Sequence, residues 1–64
     1  MKRTGRLGSF GTKSVVTIPG WIGEFEVTQV EDTHLGIVMV RAIGENFERI
    51  FTANTTVTGG FNNW

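Results

Sequence analysis

Residues 24–28 read Glu-Phe-Glu-Val-Thr, polar and apolar in strict alternation. A period of two puts Phe25 and Val27 on one face of a strand, and Glu24, Glu26 and Thr28 on the other. Val30 falls out of step, which predicts a bulge or a strong bend near Gln29. Upstream, residues 13–18 (KSVVTI) are strand formers, and Pro19-Gly20 stops them with a turn pair. Downstream, an acidic turn at 31–36 leads into residues 37–43 (IVMVRAI), apolar on both faces for most of their length. Val38, Val40 and Ala42 are assigned to the core. Ile37, Met39 and Ile43 then point outward with Arg41, so a subunit interface is expected there. A turn at 44–46, a strand at 47–52 and a short strand at 55–58 follow, and Gly59-Gly60 is expected to end the domain. No window carries apolar residues at i, i+3, i+4 and i+7, so no helix is expected.

Five short strands joined by tight turns make an all-β chain. Closing that sheet into a small five-stranded barrel removes its unpaired edges. The barrel is assigned to residues 14–60. Residues 1–13 hold Gly5, Gly8 and Gly11, with Leu7 and Phe10 as their large apolar residues after Met1. Glycine at that density predicts a flexible N-terminal arm. Residues 61–64 (FNNW) form a short tail.

The order VVTIPGW, EVTQV, acidic turn, GIVMV, second turn and short last strand resembles the KOW and related SH3-like small β-barrels. The resemblance spans residues 14–58, with Val27 and Val30 at the paired apolar positions of the motif. It implies an SH3-like barrel. It also implies contact with RNA or protein partners, as in the ribosomal and transcription-elongation modules of that family.

Charge adds a second theme. The chain has six basic and six acidic residues and no net charge. Residues 1–13 nevertheless hold Lys2, Arg3, Arg6 and Lys13 and no acid, a charge of +4. The remaining two basic and six acidic residues make residues 14–64 −4. In one reading the basic arm binds an external polyanion, and the protein is a non-enzymatic nucleic-acid-binding module for RNA or single-stranded DNA. Lys2, Arg3, Arg6 and Lys13 then neutralise phosphates, Phe10 or Trp21 stacks on bases, and Arg41 and Arg49 extend the surface if their strands are neighbours. For Trp21, the favoured alternative is a cap on the barrel. In the other reading the arm lies on its own acidic body, on a neighbouring copy or on an acidic partner. Glu24, Glu26, Glu31 and Asp32 supply the acidic face, and the protein is an interaction or structural subunit.

Chemistry is sparse. There is no cysteine, and the single histidine, His34, sits in the acidic turn. The glycines match neither a phosphate-binding loop nor a dinucleotide fingerprint. Glu24 and Glu26 read as solvated strand positions, and no enzyme, metal or other cofactor is expected. A chain of 64 residues has a thin stability margin. Without disulfides, homo-oligomerisation is the compensator expected. The basic start runs into glycines instead of an apolar segment, and no stretch approaches the ~20 apolar residues of a membrane span. A cytoplasmic location is expected.

Overall fold

Alternation decides which side each strand buries, and the computed structural model, which describes residues 2–60, follows it closely. The strands are β1 (Arg3–Arg6), β2 (Val15–Thr17), β3 (Phe25–Glu31), β4 (Ile37–Ala42), β5 (Glu48–Thr52) and β6 (Thr56–Gly60). A short 3-10 turn, Leu7–Ser9, follows β1. Phe25 and Val27 of β3, Val38 and Val40 of β4, Val16 of β2 and Val57 of β6 are all buried, and Leu7, Phe10, Ile18 and Ala53 complete the core. The bend expected near Gln29 is a register shift between β3 and β4. Val27 faces Val40, whereas Gln29 faces Met39.

The protein is all-β, but the strand count and the closure differ from expectation. One antiparallel sheet runs in the order β1-β6-β2-β3-β4-β5. It has six strands instead of five and is not closed into a barrel, so β1 and β5 are its edges. The sixth strand comes from the segment expected to be a flexible arm. Arg3 faces Gly59 and Arg6 faces Thr56, so β1 lies along β6. The physical reason is apolar anchoring. Leu7 and Phe10 are fully buried, which outweighs the conformational freedom of three glycines. Beyond β1 the chain crosses the β5–β6 connection. The Leu7 amide donates to the Thr55 carbonyl (2.7 Å) and the Gly8 amide to the Ala53 carbonyl (2.9 Å).

Strand boundaries also move. Gly59 and Gly60, expected to follow the last strand, are part of β6, where Gly59 pairs with both β1 and β2 and Gly60 with β2. At Gly59 a Cβ would collide with the Val15 carbonyl oxygen and lie 2.7 Å from Val16 Cα, so only glycine lets the strands approach. β4 ends at Ala42, which leaves Ile43 in the following turn. Residues 61–64, including the aromatic tail residues Phe61 and Trp64, lie outside the described residues. No helix of the described residues is long and apolar enough to cross a membrane.

Candidate functional site

The candidate cations fall into separate environments. Arg6, at the end of β1, is engaged inside the chain. Its two terminal nitrogens donate to both oxygens of Asp32 (2.6 and 2.9 Å), and its Nε donates to Asn54 Oδ1 (2.7 Å). The hydrogen bonds from Arg6 hold the Asp32 carboxyl below the usual carboxylate range. This fork–fork pair ties β1 to the β3–β4 turn and to the β5–β6 connection. Arg3 lies with its guanidinium 4.2 Å from the centre of the Phe10 ring and donates to the Ser9 carbonyl (3.0 Å). Phe10 is therefore not the exposed stacking aromatic expected from its loop position. It is a core residue, because the turn after β1 folds it under the sheet. Lys2 and Lys13 are exposed. Lys13 holds a left-handed backbone (φ 72°) in the turn before β2, and its amide donates to the Val27 carbonyl (2.7 Å).

Arg41 and Arg49 prove to be on opposite sides of the sheet. Arg41 faces Glu26 across β3 and β4 and bonds to it at 2.9 Å. Arg49 faces Val40 and so shares the core side of the sheet. There its guanidinium lies over two aromatic rings, 4.8 Å from the centre of Trp21 and 4.9 Å from the centre of Phe47. Trp21 itself meets Phe25 and Phe51 edge to face, with ring centres 6.0 and 5.4 Å apart. It covers one end of the core while keeping 45% of its surface open.

Local sequence builds this platform. A turn at 18–21, closed by the Trp21 amide on the Ile18 carbonyl (3.0 Å), carries Pro19 and then Gly20 at φ 86°. That order suits a type II turn, whose third position needs positive φ. It lifts Trp21 back over the sheet. The Ile43 amide donates to the Glu24 carbonyl (3.0 Å), so the β2–β3 loop and the β4–β5 turn form one end of the molecule. Ile22, Ile43 and Phe47 are exposed there, Phe47 at 52%. Arg49 pairs with no carboxylate among the described residues, and its Nε is shielded without a hydrogen-bond partner.

Of the sequence candidates, Trp21 and Arg49 come together, while Arg41 and the β1 arginines stand apart. Phe47 was the missing member. The available signal was the spacing Phe47-x-Arg49 within the strand expected over 47–52, although β5 begins at Glu48 and Phe47 precedes it. Of the expected interface residues, Ile37 and Met39 are half-buried on the outer face of β4, and Ile43 is exposed in the turn. Compared with protein-family models, curated proteins and solved structures, the chain matches none significantly, so its site is read from its own chemistry.

Proposed function

We propose that this chain is a non-enzymatic, cytoplasmic binding module for single-stranded nucleic acid, RNA or DNA. One observation carries the proposal: the Arg49 guanidinium lies over the exposed rings of Trp21 and Phe47 with no carboxylate partner among the described residues. An aromatic platform stacks on a base, and an uncompensated guanidinium beside it contacts the phosphate. Exposed Lys2 and Lys13 add sequence-independent attraction. The likeness of residues 14–58 to KOW and SH3-like small barrels belongs to the same proposal.

Indole fluorescence tests it. The chain has two tryptophans, so a Trp64→Phe background leaves Trp21 as the single reporter. Oligo(U) or oligo(dT) should quench it at low salt. The slope of log K against log salt should be about −0.7 per phosphate contact. Arg49→Gln should weaken binding about tenfold, since stacking and cation contacts of this kind are worth on the order of 1–3 kcal/mol. No quenching and no gel shift at low salt would discard the nucleic-acid proposal.

A second function, as a self-associating or acidic-partner-binding subunit, draws on a different observation. Arg6 is already engaged by Asp32, and Ile22, Ile43 and Ile50 leave apolar surface open. Light scattering with and without oligonucleotide separates the two. An oligomer that ignores nucleic acid favours the subunit.

A further inference from the structure

We infer that β5 pairs antiparallel with β5 of a second copy, about a two-fold axis at Ile50, and so continues the sheet across two chains. This pairing extends the self-association reading and does not depend on nucleic acid. The two edges of the sheet are unlike. β1 is short, begins and ends in arginine, carries Gly5 and is clamped at Arg6 by Asp32 and Asn54. Charge, brevity and covering contacts are the ordinary means of keeping an edge from pairing. β5 (Glu48-Arg49-Ile50-Phe51-Thr52) has no proline, lysine or glycine and pairs with β4 without a register shift. Among the described residues, the backbone of residues 48–51 is hydrogen-bonded to no segment beyond β4.

Side-chain chemistry selects the register. Centring the pair on Ile50 sets Ile50 against itself, Arg49 against the partner's Phe51, and Glu48 against the partner's Thr52. Directly opposed residues share a face. On the outer face Ile50 is 61% exposed and lies beside Met39 of β4. Pairing therefore builds an unbroken apolar row of Met39, Ile50 and their counterparts. The other half of the outer face carries threonines in register, Thr4, Thr58 and Thr17, so the apolar row is confined to the β4–β5 side. On the core side Arg49 meets an aromatic ring, and no like charges are opposed. Centring on Arg49 would oppose two guanidinium groups. Centring on Phe51 would set Ile50 against Thr52 and break the row. Isologous pairing of this kind closes after two copies.

Sedimentation equilibrium of the full chain without nucleic acid tests the pairing. The wild type should be a reversible dimer whose fraction rises with concentration. Ile50→Lys and Ile50→Glu each oppose like charges across the axis and should raise the dimer Kd about tenfold or more. An equimolar mixture of the two variants should recover the dimer, because Lys then faces Glu. Both variants should keep the wild-type circular dichroism spectrum, which separates lost pairing from lost fold. A wild type that stays monomeric at millimolar concentration overturns the inference. So does a dimer that Ile50→Lys leaves intact, or a variant mixture that fails to re-pair. A monomer that still quenches on oligo(U) would remove the β5 pairing and leave the nucleic-acid proposal standing.

Discussion

Ser14 shows how far a single position can depart from its local pattern. It precedes β2 and is fully buried, and its hydroxyl finds no partner among the described residues. A buried hydroxyl that leaves water without a replacement bond is destabilising. Ser14→Ala should therefore raise stability by about 1 kcal/mol, measured as an increased melting temperature. A lower melting temperature would mean that the hydroxyl is bonded in solution. Gly59 is a counterpart. Beside Gly60 it reads as a terminator, yet its missing side chain is what allows β6 to lie against Val15 and Val16. Neither role is legible from neighbours in sequence, because both are set by atoms of another strand.

At the scale of elements, β1 is held by the burial of Leu7 and Phe10 and carries an exposed ion pair besides. Arg6 donates to both oxygens of Asp32, and this holds the Asp32 carboxyl below the usual carboxylate range in the folded state. A depressed folded-state value means that the unfolded chain binds the proton first as pH falls. The stability this pair adds is complete above the ordinary carboxylate range and is lost as pH falls through the lowered Asp32 value. Asp32→Asn removes that linkage. Its melting temperature should fall less steeply than the wild type's on acidification, although it starts lower at neutral pH. Parallel curves for the two proteins would show that the pair contributes nothing to acid sensitivity. The arm-to-body reading of the charge asymmetry is realised here in part, within one chain. The β3–β4 hairpin was legible beforehand in more detail, since alternation gave its faces and Val30 its bulge.

For the whole molecule, the N-terminal segment is a structural part of the sheet. Removing residues 1–10 deletes β1 and two fully buried core residues, Leu7 and Phe10. Burial of a large apolar side chain is worth about 1.5–3 kcal/mol, and a domain this small has a margin of only a few kcal/mol. The truncated chain should be unfolded by circular dichroism at 25 °C. A folded truncation would show that β6 and β2 hold together without it. For the same reason, loss of nucleic-acid binding on truncation would say nothing about phosphate contacts. Substitution of Lys2 and Lys13, both exposed, addresses those contacts without dismantling the sheet.

Sequence alone determined the elements whose signals are local. Alternation marked Phe25, Val27, Val38 and Val40 as one buried side, Pro19-Gly20 marked the turn beneath Trp21, and the absence of helical periodicity marked an all-β chain. What tertiary structure decided is everything that joins distant segments. Thr4 bonds Thr58 across 54 positions, Arg6 reaches Asp32 across 26, and the Arg49 guanidinium lies over Trp21 from the far side of two turns. Glycines that spell flexibility in isolation become ordered strand once Leu7 and Phe10 have a core to enter. That core is assembled from β2, β3, β4 and β6, so no window of the N-terminal sequence contains it.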